Sequence, residues 1–118
     1  MSLGKVFIAP NGSLVYVGRN SKENDKLTFE FAKSGDLWFH VADVAGSHVV
    51  MKKGDSDFSM GDIVYAASLA KHHSKAKNVN GKAKINVSYC DVLCVMKEKH
   101  APSGQVRLLG EIKQITVQ

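Results

Sequence analysis

Two short strand-like runs within residues 36–52 place the strongest constraint on the fold of this chain. Leu37–Val41 and His48–Met51 are rich in apolar residues, and the loop between them turns on Gly46. Runs of this length and composition, bounded by turn residues, predict paired β-strands. A β-sheet is therefore the expected framework of the molecule.

The two faces of the first strand differ in character. Side chains alternate along a strand, so one face is predicted to enter the core. That apolar face carries Leu37, Phe39 and Val41. The other face carries Trp38 and His40, a pairing expected at a partly open surface, and a hairpin register would bring His48 near His40. An indole can stack on a nucleobase for about 1–3 kcal/mol, and an imidazole can bind phosphate, a base edge or a 2′-hydroxyl. A lone tryptophan is equally compatible with a core position beside a hydrogen-bonded histidine.

Two helices are predicted outside this region. Ser59 is placed to cap a helix that runs to about Lys75, with apolar residues at i, i+3 and i+4 spacing. A shorter helix over about 22–33 follows the candidate N-cap Ser21, although the alternation in Leu27–Phe31 also fits a strand.

The remaining segments complete an α+β pattern. A hairpin over residues 6–17 turns at Pro10–Ser13, and β-branched runs at 85–95 and 106–117 supply the last strands. The predicted order is ββαββαβββ, a mostly antiparallel β-sheet with two helices packed on it. A length of 118 residues predicts one domain, residues 1–118, that is large enough for a hydrophobic core.

Positive charge is concentrated in one part of the chain. The net charge is +5, from 16 basic and 11 acidic side chains, which suits an anionic partner. Between Lys71 and Cys90 there are five lysines, two histidines and no acid. Such a block fits a phosphate backbone, but it also fits a solvated helix end, where each lysine meets the helix dipole for about 0.3–1 kcal/mol.

Composition and spacing argue against several classes of protein. No apolar run approaches the roughly 20 residues of a membrane span, and no basic-then-apolar leader opens the chain. Cys90 and Cys94 are predicted to be buried free thiols, which indicates a cytoplasmic protein. His72 and His73 are adjacent and lack metal-ligand spacing, and no glycine-rich phosphate loop is present, so we expect neither metal nor cofactor.

Histidine chemistry supplies a catalytic alternative. His40 and His48 could act as an acid–base pair of the kind found in metal-free ribonucleases, with Asp36 and Asp43 orienting the rings. Nothing in the spacing requires this reaction, because paired histidines on strands are commonly structural.

Two short segments could hold an anion. The turn Gly46–His48 offers backbone N–H groups, a hydroxyl and an imidazole, although a tight strand connection needs the same residues for steric reasons. Arg19 and Asn20, with Asn24 one turn later, could hold a phosphate at the start of the first helix or could simply cap that helix.

Several runs, taken in chain order, resemble the NFACT-R domain family. The likeness covers nearly the whole chain, and its most specific part is the D-x-W-x-H…G-S-H combination. The matching runs are Gly18–Asn20, Asn24–Asp25, Leu27–Thr28, Asp36–His40, Gly46–Val50, Ala66–Ala70, His73–Asn78, Val87–Tyr89 and Gly104–Val106. Residues 97–103 depart from the basic, glycine-containing loop expected there, because they include Glu98.

The resemblance implies an RNA-binding module. In larger family members this module follows a nucleic-acid-lyase-like domain, a helix-hairpin-helix segment and a coiled coil. Those proteins bind the large ribosomal subunit and tRNA, rescue stalled nascent chains and add C-terminal tails. The present chain corresponds to the final module, so we expect a stand-alone member without tail-elongating activity. A eukaryotic relative linked to DNA sensing keeps DNA as an alternative ligand.

We therefore predict a non-catalytic module that binds tRNA, rRNA or another ribosome-associated RNA. Its predicted interface combines a polar patch with phosphate-binding lysines: Arg19, Asn24, Asp36, Trp38, His40, Gly46, Ser47 and His48, together with Lys52, Lys71, Lys75 and Lys77. The alternatives are a metal-independent RNA-processing enzyme that uses His40 and His48, a DNA-binding module, and an interaction module that docks on the ribosome or a ribosome-associated protein.

Overall fold

The computed structural model describes residues 3–78 and 84–118, and within them eight strands alternate with two α-helices. The strands are β1 (Lys5–Ile8), β2 (Leu14–Val17), β3 (Leu37–Val41), β4 (Val49–Met51), β5 (Ile85–Asp91), β6 (Val95–Met96), β7 (Arg107–Leu108) and β8 (Lys113–Val117). The helices are α1 (Ser21–Lys26), which continues as a π-helical turn (Leu27–Phe31), and α2 (Met60–His72); 3₁₀ turns span Lys75–Asn78 and Val92–Cys94.

Six of the strands form one antiparallel sheet, in the order β1-β2-β4-β3-β5-β8. The strands β6 and β7 form a separate two-stranded ribbon. The predicted α+β class, with two helices on a mostly antiparallel sheet, is confirmed. The prediction of three strands after α2 is corrected to four, because the run 85–95 bends at Asp91, whose side chain accepts a hydrogen bond from the Leu93 N–H at 2.9 Å.

Both faces of the sheet are covered. One core lies under α2, where Phe39 and Val41 pack with the small side chains of Ala66, Ala67 and Ala70. The other core lies under the π-helical turn and the β6–β7 ribbon, and it contains Leu27, Trp38, Val50, Cys90 and Val95. The alternation predicted for β3 is therefore correct, but the predicted openness of its second face is wrong.

The predicted cap of α2 is present. The Asp62 N–H donates to the Ser59 hydroxyl at 3.2 Å, and the Ser59 N–H donates to the Asp62 carboxylate at 2.9 Å, which closes a capping box. The helix ends at His72, earlier than the predicted Lys75. Residues 79–83, which belong to the predicted basic block between Lys71 and Cys90, lie outside the described residues.

The first helix begins one residue earlier than predicted. Asn20 is the N-cap in place of Ser21, since its side-chain oxygen accepts the Glu23 N–H at 2.9 Å. The ambiguous run after Lys26 is helical, and its bond from the Ala32 N–H to the Leu27 carbonyl, at 2.9 Å, has the i→i−5 spacing of a π-helix.

Cysteine burial and the length of the helices bear on two expectations from composition. Cys90 is a buried free thiol, whereas Cys94 is free and half-buried. Burial is the main cause that raises the pKa of Cys90 to about 12. Among the described residues no helix is long and apolar enough to cross a bilayer.

Candidate nucleic-acid interface

A basic cleft of about 830 Å³ lies where three segments of the chain meet. These segments are the β2–α1 junction (Gly18–Ser21), the β3–β4 loop (Ala45–Ser47) and the end of α2 with the turn that follows it (His72–Lys77). Lys5, on the edge strand β1, also lines the cleft. The cleft therefore joins parts of the sequence that are far apart along the chain.

Every lysine, arginine or acidic side chain among the described lining residues of the basic cleft is a cation. Lys5, Lys75 and Lys77 are exposed, and none of them forms an ion pair within the described part of the chain. Arg19 differs, because its Nε lies 3.0 and 3.1 Å from the two carboxylate oxygens of Glu23. Hydrogen bonds from Arg19 are the main cause that lowers the pKa of Glu23 to about 2. The cleft thus offers three uncompensated lysines and one guanidinium that already has a partner.

Close backbone packing fixes one side of the cleft. A Cβ atom on Gly46 would lie 2.6 Å from the Ser74 Cβ, so only glycine permits this approach. The Ser47 N–H donates to the His73 carbonyl at 3.0 Å, and the Lys75 N–H donates to the Ala45 carbonyl at 3.0 Å. These bonds hold the β3–β4 loop against the end of α2.

The other side of the cleft is fixed in the same way. The Ser47 hydroxyl donates to the Gly18 carbonyl at 2.6 Å. A Cβ on Gly18 would lie 1.9 Å from the Asn24 side-chain oxygen, which in turn accepts the His48 N–H at 3.1 Å. Of the two possibilities for Gly46–His48, an anion-binding nest is excluded for the N–H groups of Ser47 and His48, since both bond within the protein.

His48 is a structural residue in this fold. Its ring is only 1% exposed; Nε2 lies 3.1 Å from the Gly104 carbonyl, and Nδ1 lies 2.8 Å from the Thr28 hydroxyl. Because a carbonyl can only accept, Nε2 carries the proton and Nδ1 accepts from Thr28. Burial first, and then the neighbouring His40, lower the pKa of His48 to about 4.

Trp38 and His40 lie against His48, and we call Thr28, Trp38, His40 and His48 together the His48 cluster. The predicted proximity of the two histidines is confirmed, with ring centroids 5.6 Å apart. Trp38 is 1% exposed and stacks on half-buried His40 at 5.8 Å, with 9° between the ring planes. Burial lowers the pKa of His40. The indole therefore has no open face on which a nucleobase could stack.

The two predicted ring-orienting aspartates lie elsewhere. Asp36 accepts the backbone N–H groups of Lys33 and Lys53, both at 2.8 Å, and forms an ion pair with Lys52. Asp43 is exposed, in a left-handed backbone conformation with φ of 66°. Neither aspartate forms a hydrogen bond with an imidazole within the described residues.

Asp36 and Lys52 line a second cleft of about 600 Å³, away from the first. The Lys52 ammonium bonds to buried Asp36 and lies 4.6 Å from the centre of the Phe31 ring. The prediction of Lys52 as a phosphate contact is not supported, because its charge already has a partner. Lys71 is 9% exposed and does not line the basic cleft, so it is not positioned as predicted either.

Half of the twelve predicted interface residues come together. The six that line the basic cleft are Arg19, Asn24, Gly46, Ser47, Lys75 and Lys77. Six further lining residues with polar side chains are not among the twelve: Lys5, Asn20, Ser21, His72, His73 and Ser74. Three of these, Asn20, His72 and Ser74, are adjacent in the sequence to a predicted residue, and that adjacency was a usable signal. Lys5 had no such signal, since only the pairing of β1 with β2 brings it there.

The described residues contain no cluster of three or more histidine, cysteine or acidic side chains that could hold a metal ion. The chemistry available in the basic cleft is therefore that of ammonium, guanidinium, imidazole, hydroxyl and amide groups. Such groups bind anions and hydrogen-bond acceptors.

Comparison with known proteins places this arrangement in a family. The family model described as "NFACT protein RNA binding domain" matches residues 5–110. Proteins named "Rqc2 homolog RqcH" are among the relatives. The one from Streptococcus suis is 39% identical over 101 residues, which are 83% of this chain and 16% of that protein. The one from Streptococcus pneumoniae is 41% identical over 106 residues, which are 89% of this chain and 18% of that protein. The homolog from Bacillus subtilis is 32% identical over 102 residues (86% and 17%). The chain thus spans about a sixth of the length of these relatives.

A solved structure shows the same fold. It is the C-terminal part of the fibronectin/fibrinogen-binding protein from Streptococcus suis, which is 34% identical and superimposes with a TM-score of 0.88. The match covers 99% of this chain and 45% of that one. With a family match over most of the sequence and a shared fold, the chain belongs to the NFACT protein RNA binding domain family.

Proposed function

We propose that this domain binds RNA without catalysing a reaction, and that the phosphate backbone of the RNA lies in the basic cleft. The family resemblance favours tRNA or rRNA as the ligand. The domain would then act in ribosome-associated quality control in the cytoplasm. The ribosome itself is then a partner through its RNA.

One observation carries the proposal. Lys5, Lys75 and Lys77 meet around one cleft, and no acidic residue is among its described lining residues. Phosphate contacts supply most of the non-specific affinity of nucleic-acid-binding proteins. Uncompensated ammonium groups on a rigid frame are what such contacts require.

The catalytic alternative has no comparable support. A general base must come within hydrogen-bonding distance of its substrate. His48 is almost completely buried, and both of its ring nitrogens have partners inside the protein. A substrate could reach half-buried His40 but not the two imidazoles together.

The test compares two triple variants with equal changes in charge. Lys5/Lys75/Lys77→Gln removes the cleft lysines, and Lys26/Lys99/Lys113→Gln removes three exposed lysines that do not line the cleft. Binding to a labelled tRNA is measured by fluorescence anisotropy as a function of salt. For three phosphate contacts, the slope of log affinity against log salt should be about −2 to −3 in the wild type and close to zero in the cleft variant.

The control variant should keep a slope close to that of the wild type. Equal losses in the two variants would mean that general charge, rather than the cleft, attracts the RNA. Binding that resists high salt and nuclease treatment would instead favour a protein-docking module. Parallel titrations of the wild type and both variants with a DNA duplex show whether DNA binds through the same lysines.

A further inference from the structure

We infer that the basic cleft holds an unpaired base of the RNA, stacked on the imidazole ring of His72. This inference rests on the proposed function and adds the kind of nucleotide that the cleft accepts. It depends on the exposure of His72, on the contacts that fix its neighbour His73, and on the lysines that line the same part of the cleft.

Three side chains of the cleft are of the kinds on which bases stack. Unpaired bases stack on aromatic rings, imidazole included, and on guanidinium planes. The cleft contains the imidazoles of His72 and His73 and the guanidinium of Arg19. His73 is half-buried, and the Glu23 carboxylate beside Arg19 repels the phosphates of a nucleotide that stacks there. His72 is exposed and is therefore the favoured position for a base.

The ring of His72 has an accessible surface. Within the described residues this ring contacts that of His73, with centroids 5.1 Å apart and 78° between the ring planes. An edge-to-face contact of this kind covers at most one face of the His72 ring. Because His72 is exposed and lines the cleft, the rest of its ring is accessible to a ligand. A flat ring with an accessible face is what a stacked base requires.

His73 fixes the segment that carries this ring. Its Nδ1 donates to the Leu69 carbonyl at 2.9 Å, and its ring centroid lies 5.8 Å from that of Phe7. The His73 N–H also donates to the Leu69 carbonyl, at 3.0 Å, and the His73 carbonyl accepts the Ser47 N–H at 3.0 Å. The backbone next to His72 is therefore preorganised, which reduces the cost of ordering the site when a ligand binds.

Lys75 and Lys77 supply positive charge for the phosphates next to a stacked base. Both residues follow His72 within five positions, and both are exposed and line the cleft with it. The Lys75 N–H donates to the Ala45 carbonyl at 3.0 Å, which ties this turn to the β3–β4 loop. An aromatic surface beside fixed cations is the combination by which proteins hold single-stranded nucleic acid.

The experiment uses 2-aminopurine, a fluorescent base whose emission falls when it stacks. It is placed between uridines in a single-stranded RNA, and the same strand annealed to its complement provides a fully paired RNA. The wild type should quench the single-stranded probe on binding. His72→Gln removes the ring, so it should abolish the quenching and weaken binding of this probe about fivefold, the lower end of what stacking contributes. Its affinity for the duplex should stay within about twofold of the wild type, because paired bases are not available to stack.

Two further variants show whether the ring is the cause. His72→Phe keeps a flat ring, so it should retain the quenching and bind the single strand within about twofold of the wild type. His100→Gln makes the same change at an exposed histidine outside the cleft and should have no effect. Equal weakening of single strand and duplex by His72→Gln would identify a phosphate contact and overturn the inference. Quenching that is lost in Arg19→Lys but kept in His72→Gln would place the base on the guanidinium and also overturn it.

The Lys5/Lys75/Lys77→Gln variant separates this inference from the proposed function. If that variant weakens binding of both probes while His72→Gln behaves like the wild type, the cleft binds RNA and the inference about His72 is wrong. If the lysine variant leaves both affinities unchanged, the proposed function itself fails.

Discussion

The basic cleft and the His48 cluster use similar polar side chains for opposite purposes. In the cleft, Lys5, Lys75 and Lys77 are exposed and have no ion-pair partner within the described residues. In the cluster, His48 is buried and both ring nitrogens are hydrogen-bonded. A polar residue is available to a ligand only where the fold has not already given it a partner. Substitutions in the cluster should therefore change stability alone, and substitutions in the cleft should change RNA affinity alone.

The largest expected effect is a pH dependence of stability that originates in the cluster. The pKa of His48 is lowered to about 4 by burial and by His40, from an ordinary value of 6.5. The unfolded chain therefore takes up a proton between pH 6.5 and pH 4 that the folded protein does not. The stabilisation is complete above pH 6.5 and is lost as the pH falls toward 4, by about 3 kcal/mol in total.

Urea denaturation at a series of pH values measures this loss, with His48→Gln as the comparison. The variant should be less stable at pH 7 but should lose much less stability between pH 6.5 and pH 4; the remaining dependence comes partly from His40. RNA affinity at pH 7 should match that of the wild type. Identical pH profiles for the two proteins would show that His48 is not the titrating group.

The next effect concerns Lys52, which was predicted to contact phosphate but forms an ion pair with Asp36 in the fold. Lys52→Met should lower the free energy of unfolding by about 2–3 kcal/mol, because it leaves the buried Asp36 carboxylate without its ammonium partner. Lys53→Met is the matched control, since Lys53 pairs with the fully exposed Asp57 and should change stability little. A folded Lys52→Met protein with strongly reduced RNA affinity would make the second cleft part of the interface.

Trp38→Phe gives a smaller effect and tests the cluster directly. Loss of the larger ring in the core should cost about 1–3 kcal/mol of stability. The affinity for RNA should stay within about twofold of the wild type, because the indole is buried away from the cleft. Thermal denaturation and anisotropy on the same sample provide both numbers. A tenfold loss of affinity in a folded variant would restore the stacking role and break the comparison.

The smallest effect sharpens the description of the cleft. Glu23→Gln should free the Arg19 guanidinium and raise RNA affinity by about threefold, because a carboxylate next to the cleft has been removed. Glu30→Gln makes the same change of charge at the second cleft and should have less effect. Equal increases for both variants would indicate a long-range charge effect rather than release of Arg19.

Much of the fold could be predicted because it depends on local patterns. The capping signal at Ser59 and the apolar spacing after it were sufficient to place the start of α2. The alternation in Leu37–Val41 correctly separated the residues of its two faces. Exposure was predicted less well, since alternation says which residues share a face but not what covers it. Trp38 was misplaced for this reason: Leu27, Val95 and their neighbours cover its face.

The site was predicted in part for a related reason. The basic block pointed to Lys75 and Lys77, which are close together in the chain, and both line the basic cleft. Lys52 and Lys71 carry the same formal charge, but one is neutralised by Asp36 and the other is largely buried. The sequence does not reveal that Asp36 and Lys52 form an ion pair, because the two residues are 16 positions apart.

By itself, the sequence determined the strands and helices, the family and an excess of positive charge, because short-range spacing and composition encode these properties. Only the tertiary structure decided which charges remain available to a ligand. It did so by giving Lys52 a buried carboxylate, by closing the His48 cluster under a helical turn, and by leaving Lys5, Lys75 and Lys77 around one cleft. Burial and pairing depend on residues distant in the chain, and these contacts form only when the sheet assembles.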